Sequence, residues 1–195
     1  MHSQKSDVVL LAEYIATFEK YDDLCAHNIS PLLLADMGTA GRQHWQPRPI
    51  TTSASALADL YQKLGLTGHG STRFPPLYED LLLSYRWAEV DLGNYRLLAN
   101  EPAEDLSPLL SAMRADVHLF ATLVSNGYLP FGRGSDVNYD PVCFDFRQRQ
   151  NNGDYRIVRL EHEAILCKGR IGTITQLAPS FRSLMLNTIE RSAAK

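Results

Sequence analysis

The residues of this chain that could do chemistry lie mainly between Gly127 and Glu163. The triplet Glu161-His162-Glu163 has the residue types of a catalytic or metal site. In a strand, however, the two glutamates would share one face and His162 would point to the other. The triplet also lacks the His-Glu-x-x-His spacing that places two imidazoles on one helical face. We interpret it as structural. One alternative is that His162 pairs with Asp145 across a hairpin, which would make both residues buried polar anchors.

Three aspartates in the same stretch, Asp136, Asp140 and Asp145, suggest a cation site by residue type alone. Their spacing does not match a calcium loop, which needs ligands at alternate positions and a distant glutamate. Asp140 precedes Pro141, and this pair is typical of a turn that enters a strand. The sequence therefore predicts no metal site and no cofactor.

Two further patterns point to chemistry but are incomplete. Gly132-Arg133-Gly134 lacks the Gly-Lys-Ser/Thr ending of a phosphate loop, and no predicted helix follows it. Cys143 and His162 have the types of a nucleophile and its base, but no orienting residue or oxyanion loop accompanies them. We therefore expect no catalytic residues and no enzyme, while a hydrolase acting around Asp145 and His162 stays an alternative.

Composition and charge limit the class of protein. Hydrophobic residues make up 45% of the 195 residues, enough for a core without disulfides or metals. The net charge of −3 is too small to indicate nucleic-acid or membrane-surface binding. Three widely spaced cysteines favour a reducing compartment. We expect no signal peptide, and no apolar run approaches the roughly 20 residues of a membrane span. We expect a cytoplasmic protein.

Charge is unevenly distributed along the chain. Residues 71–140 carry 5 basic and 10 acidic groups, whereas residues 141–195 carry 9 basic and 5 acidic groups. Five arginines fall in or near the predicted strands of the basic segment: Arg147, Arg149, Arg156, Arg159 and Arg170. Because alternate strand positions share a face, Arg147 and Arg149 can align. An arginine-rich sheet edge either binds an acidic partner or protects the edge against aggregation.

The elements that must position these residues follow from periodicity. Helical spacing predicts helices from Asp7 to Tyr21 and from Ser53 to Gly65, and Pro75-Pro76 suits the first turn of another. Ser107-Pro108 begins a long helix that Gly127 ends. Strand-like runs follow at Tyr128–Phe131, Val142–Phe146 and Tyr155–Leu160. Ala164–Cys167 and Arg170–Ile174 are candidates for further strand, and Thr175 is the predicted cap of a last helix. Cys143 and Cys167 both fall in apolar, strand-like runs.

This order of elements predicts an α+β fold, a twisted antiparallel sheet flanked by helices. We divide the chain into a mainly helical N-terminal extension, residues 1–70, and an α+β domain, residues 71–195.

Several segments resemble the SUKH superfamily, also called Smi/Knr-like, over about residues 74–190. The segment from Phe74 to Leu83 is similar to the helix that opens this family. Other similar segments are Leu129–Gly132, Val142–Phe146, Gly153–Val158, His162-Glu163 and Ala178–Leu184. The resemblance implies non-enzymatic binding, either as an immunity protein that neutralises a toxin or as a regulator. It carries over no catalytic residue.

We therefore expect a protein partner, with a bacterial toxin as one candidate, and neither nucleic acid nor membrane. The alternatives are a small-ligand sensor with a pocket between the sheet and the long helix, and the hydrolase above. The candidate partner-binding residues are Tyr128, Arg133, Asp136, Tyr139, Asp140, Arg147 and Arg149. Asp145 and His162 are the predicted structural anchors.

Overall fold

A computed structural model of the chain describes residues 6–20, 31–37, 46–66, 72–135 and 139–194. The helices in these ranges are α1 Asp7–Ala16 with a following 3-10 turn Thr17–Lys20, α2 Pro31–Met37, α3 Ala54–Leu64, α4 Pro76–Ser84, α5 Ser107–Met113, α6 Val117–Ser125, α7 His162–Lys168 and α8 Phe181–Ala193. The strands are β1 Arg48–Pro49, β2 Tyr85–Arg86, β3 Val90–Asp91, β4 Arg96–Leu97, β5 Tyr128–Arg133, β6 Pro141–Arg149, β7 Tyr155–Leu160 and β8 Ile174–Ala178.

Strands β3 to β8 form one antiparallel sheet in which spatial order follows chain order. Strands β1 and β2 form a small separate pair. The predicted α+β class is confirmed, because helices flank a predominantly antiparallel sheet.

The sheet has a hydrophobic core on each face, as the alternation of side chains along β6 requires. Val142 and Phe144 enter the larger core, which α1, α4 and α8 also line. Cys143 enters a smaller core with Leu123 of α6 and Ile165 of α7.

The larger core is built around aromatic rings. Phe131 and Phe144 stack across β5 and β6 with centroids 4.2 Å apart. The rings of Tyr78 in α4 and Phe181 in α8 meet Phe144 at steep angles, with centroid distances of 5.1 and 5.8 Å. Such edge-on contacts between aromatic rings add to the stabilisation that burial provides.

The N-terminal helices contribute to this same core. Leu10 of α1 and Leu57 of α3 are buried in it, and the hydroxyls of Tyr14 and Tyr95 lie 2.6 Å apart. The division at residues 70 and 71 stays a prediction, but the described extension packs against the sheet domain.

Several local signals act as predicted. Ser53 accepts a hydrogen bond from the Ala56 N–H at the start of α3, and Gly65 ends the helix with φ of +75°. The three predicted strands are β5, β6 and β7. The turn between β6 and β7 has Gly153 at φ +81°, a conformation that glycine adopts readily.

Three predicted elements are wrong, and of the candidate strand Arg170–Ile174 only Ile174 lies in a strand. The helix expected from Ser107 is broken into α5 and α6, because Asp116 starts a new helix by accepting a hydrogen bond from the Leu119 N–H. Ala164–Cys167 is not strand but part of α7, which Gly169 ends at φ +60°, and Cys167 is exposed. Thr175 lies in β8, and Ser180 caps α8 instead.

Candidate functional site

The predicted partner-binding residues separate into two groups at opposite ends of the β5–β6 pair. Tyr128 is opposite Asp145 at one end, and Arg133 is opposite Pro141 at the other. Asp136 lies outside the described residues. The first group includes Arg147, whose side chain is 46% exposed, and lies beside the smaller core, which contains Tyr128 and Cys143.

At this end Asp145 is fully buried and binds two arginines. Arg147 approaches it with both Nε and Nη2, at 2.8 and 2.9 Å from the carboxylate oxygens. Arg156 of the neighbouring strand donates from Nη2 to the same carboxylate. We call Tyr128, Asp145, Arg147 and Arg156 the arginine platform.

Tyr128 was predicted to bind a partner, but it is only 2% exposed, so it supports Arg147 instead of facing solvent. Gly127 also supports Arg147. The Arg147 guanidinium carbon lies 4.5 Å from the centroid of the Tyr128 ring, a cation–π contact. A Cβ added to Gly127 would lie only 2.7 Å from Cγ of Arg147, and the φ of Gly127 is +81°. Glycine therefore provides both the turn after α6 and the space for the arginine stem.

The electrostatics of the platform favour fixed charges. Burial alone would raise the pKa of Asp145, but the hydrogen bonds from Arg147 and Arg156 outweigh it and lower the pKa. Hydrogen bonding to Asp145 also raises the pKa of Arg147. Burial raises the pKa of the Tyr128 phenol, although the charge of Arg147 opposes this.

The outer side of the platform carries unused hydrogen-bond donors. The side chains of Arg147 and Arg156 are 46% and 35% exposed, while that of Asp145 is 0% exposed. Within the described ranges, the Nη1 groups of both arginines have no hydrogen-bond partner. Two guanidinium groups on one carboxylate leave a net positive charge at the surface.

The second group surrounds the loop between β5 and β6. Arg133 forms a two-point ion pair with Glu89, with Nε 3.0 Å from one carboxylate oxygen. Tyr139 is 53% exposed, has φ of +51°, and its ring centroid lies 5.6 Å from the Arg133 guanidinium carbon. Arg133 is thus neutralised locally, unlike the arginines of the platform.

His162 does not pair with Asp145, so this prediction is wrong. His162 is the first residue of α7, and Asp140 accepts hydrogen bonds from its backbone N–H at 3.0 Å and from Nδ1 at 2.9 Å. Asp140 therefore fixes the start of α7 to the beginning of β6. Asp145 and His162 each make polar contacts within the fold, but with different partners.

Arg149 also departs from its predicted position beside Arg147. The β6–β7 register shifts between Phe144 and Arg149, so simple alternation fails there. Arg149 pairs in register with Tyr155, and its Nη2 would lie 3.3 Å from a Cβ at Gly153. It belongs to the hairpin turn and not to the platform.

Sequence reasoning missed the role of two residues. Arg156 was one of the noted arginines, but no local signal shows that it meets Asp145, 11 residues earlier. Asp154 is buried and accepts hydrogen bonds from the N–H groups of Tyr155, Phe181 and Arg182. It thereby joins the hairpin turn to the start of α8.

The described residues contain no group of three or more His, Cys, Asp or Glu side chains arranged to hold a metal ion. None of the helices described is both long and apolar enough to cross a membrane. A cavity between α3 and α5, beside Lys63 and Asp105, has a volume of about 10 Å³, room for about one water molecule.

Comparison with known proteins finds no matching family model, no significantly similar curated protein and no significantly similar solved structure. The resemblance to the SUKH superfamily stays a prediction.

Proposed function

We propose that this chain is a non-enzymatic protein-binding domain, an immunity-type or regulatory partner of another protein. It binds through the arginine platform, which accepts a carboxylate from an acidic surface of that partner. The observation that carries this proposal is the pair of partly exposed guanidinium groups held on one fully buried carboxylate.

The geometry favours binding because the arginines are already ordered. A long side chain loses rotamer freedom when it binds, and this loss opposes association. Asp145 and the Tyr128 ring hold Arg147 in place before any partner arrives. An incoming carboxylate can accept hydrogen bonds from the Nη1 groups of Arg147 and Arg156. Arginine is also one of the residue types that most often dominate protein interfaces.

The groups that could do catalysis are committed to structural contacts. Asp145 is bound by arginines, and His162 is bound by Asp140. Burial raises the pKa of the Cys143 thiol, and the nearby charge of Asp145 raises it further, which disfavours the reactive thiolate. These contacts support a binding protein over a hydrolase acting around Asp145 and His162.

The resemblance to the SUKH superfamily supports the immunity version of this proposal. On that version, the partner is a bacterial toxin and the chain acts in the cytoplasm by occupying a surface that the toxin needs. A toxin encoded beside this chain would favour immunity over regulation.

The test is affinity capture with the whole chain immobilised, followed by affinity measurement on the captured protein. We expect Arg147→Gln and Arg156→Gln together to weaken that binding by about 10- to 100-fold, the range of an interface hot spot. Added salt should weaken it in the wild type, since screening reduces attraction between exposed charges.

Lys63→Gln is the matched control, because it removes a positive charge from the half-exposed surface of α3, outside the platform. It should leave the affinity unchanged. Circular dichroism must show that all the variants are folded. Equal affinity of the wild type and the folded double variant would exclude the platform as the binding surface.

A further inference from the structure

Among the residues that the structure describes, no strand pairs with the outer edge of β8, the last strand of the sheet. Spatial order in the sheet ends with β8, which pairs on its inner side with β7. Ile174, Thr175 and Gln176 are all exposed, and Ile174 is 39% exposed. Edge strands commonly carry charges or proline, because a bare edge can pair with another chain. Here no charged residue occurs from Ile171 to Phe181.

Both ends of this edge strand are fixed by side chains from elsewhere. The Glu161 carboxylate accepts hydrogen bonds from the N–H of Thr173 at 3.3 Å and from its hydroxyl at 3.1 Å. At the other end, the Gln150 amide donates to the carbonyl of Pro179. The edge is therefore held in an extended form before any strand is added to it, which lowers the entropy lost on pairing.

The hydrogen-bond pattern shows which backbone groups point outward. The Glu161 N–H donates to the Thr173 carbonyl at 3.1 Å, which is one of the two backbone bonds of a hydrogen-bonded antiparallel pair and shows that the Thr173 carbonyl faces β7. Such pairs alternate along a ladder. Thr175, opposite Arg159, is thus the next residue whose backbone faces β7, while Ile174 and Gln176 direct their N–H and C=O groups outward.

This set of outward groups is self-complementary. If a second copy lies antiparallel with Thr175 opposite its own counterpart, Ile174 of each copy faces Gln176 of the other. Each outward N–H then meets an outward C=O across a twofold axis. The facing threonines form a favourable cross-strand pair, and no like charges meet along the uncharged segment.

We infer that β8 is a dimerisation edge that pairs with β8 of a second copy of this chain, centred on Thr175. The pairing extends the sheet across two molecules. It does not depend on the proposed function, because the platform residues lie on β5, β6 and β7. A contact built on one five-residue strand is smaller than the roughly 1,200 Å² of stable interfaces, so the dimer is weak and concentration-dependent.

Sedimentation velocity of the full chain, up to about 1 mM, tests this inference. The wild type should shift from monomer to dimer as concentration rises. Thr175→Lys and Thr175→Glu should each abolish the dimer, because each places like charges face to face at the twofold axis. An equal mixture of the two variants should restore a dimer, since the charges are then opposite.

Thr51→Lys is the control, because Thr51 is exposed and precedes α3. It should dimerise like the wild type. In the wild type, amide hydrogen exchange at Ile174 and Gln176 should slow with concentration, and this readout does not depend on any variant folding. A chain that stays monomeric at about 1 mM would overturn the inference. So would a dimer that survives both Thr175 substitutions, or a mixture of folded variants that fails to associate.

Discussion

Asp145 is the residue on which the arginine platform depends. Its carboxylate has no contact with water, yet it binds two arginines whose outer sides are in solvent. A buried charge is tolerated in a protein only when it is paired and hydrogen-bonded. The same two arginines therefore stabilise the fold and supply the surface charge.

We expect Asp145→Asn to lower the free energy of unfolding by roughly 2–3 kcal/mol, because it weakens charged hydrogen bonds at a buried position. The amide keeps the size of the carboxylate, so no cavity forms. Urea unfolding of the two proteins measures the difference. Asp59→Asn on the exposed face of α3 should change the value by less than about 0.5 kcal/mol. Equal effects of the two substitutions would contradict the role given to Asp145.

The stabilisation by Asp145 should depend on pH. Its pKa is lowered in the folded state, so its contribution is complete above the unfolded pKa of about 4. It is lost as pH falls through the lower, folded-state pKa. Urea unfolding from about pH 7 to about pH 3 should show that the wild type loses its advantage over Asp145→Asn only below about pH 4. A constant difference over that range would be inconsistent with a lowered pKa.

At the residue scale, sequence reasoning identified most positions but not their partners. Asp145 and His162 were predicted as anchors; Asp145 binds Arg147 and Arg156, and the partly exposed His162 binds Asp140. The predicted contact between them required Glu161-His162-Glu163 to continue a strand, whereas β7 ends at Leu160 and His162 begins α7. Contacts between Asp145 and Arg156, or between Asp140 and His162, depend on strand register, which a single sequence does not fix.

At the scale of elements, α8 is joined to the β6–β7 hairpin through Asp154. The carboxylate accepts hydrogen bonds from the N–H of Phe181 at 3.0 Å and of Arg182 at 3.2 Å, in the first turn of the helix. These N–H groups have no acceptor within the helix itself. Asp154, a turn residue 27 positions before Phe181, therefore acts as a second N-terminal cap of α8 beside Ser180.

We expect Asp154→Ala to destabilise the protein by about 2–3 kcal/mol, because it leaves buried N–H groups without an acceptor. Asp116→Ala is the comparison, since Asp116 caps α6 from an exposed position and should cost about 1 kcal/mol. Thermal or urea unfolding ranks the two variants. A larger loss of unfolding free energy for Asp116→Ala than for Asp154→Ala would show that the link between the hairpin and α8 contributes little to stability.

Element prediction succeeded where a local signal was sufficient. Ser53 marks the start of α3 and Gly65 marks its end. The aromatic and β-branched runs correctly predicted β5 to β7. It failed at α7, because a short apolar run fits a strand or a buried helix equally well. The signal that could have identified this run as a helix was Lys168-Gly169, a basic residue in the last turn followed by a glycine that ends the helix.

At the scale of the whole molecule, the N-terminal helices and the sheet share one core. Leu10 and Tyr14 of α1 are completely buried, and Tyr14 meets Tyr95 of the segment between β3 and β4. Sequence reasoning treated residues 1–70 as an extension, because the resemblance to the SUKH superfamily begins only at Phe74. Packing between distant segments has no local sequence signal.

We expect Leu10→Ala to lower the stability of the sheet domain by about 2–5 kcal/mol, through lost burial and a new cavity. Fluorescence of Trp87, which is fully buried, reports that domain when measured in a Trp45→Phe background. Val8→Ala is the control on the same helix, because Val8 is 77% exposed. If α1 unfolded in a separate transition and left the Trp87 signal unchanged, the shared core would not be cooperative.

The buried thiol of Cys143 can report how often the native structure opens. Its thiol lies between β6 and the layer formed by α6 and α7, and its raised pKa keeps it protonated. Alkylating reagents can reach it only when that layer separates from the sheet. In a chain with Cys25 and Cys167 replaced by serine, the labelling rate at Cys143 therefore counts opening events of the native protein. If that rate rises when the platform binds the proposed partner, binding and the separation of α6 and α7 from the sheet are coupled.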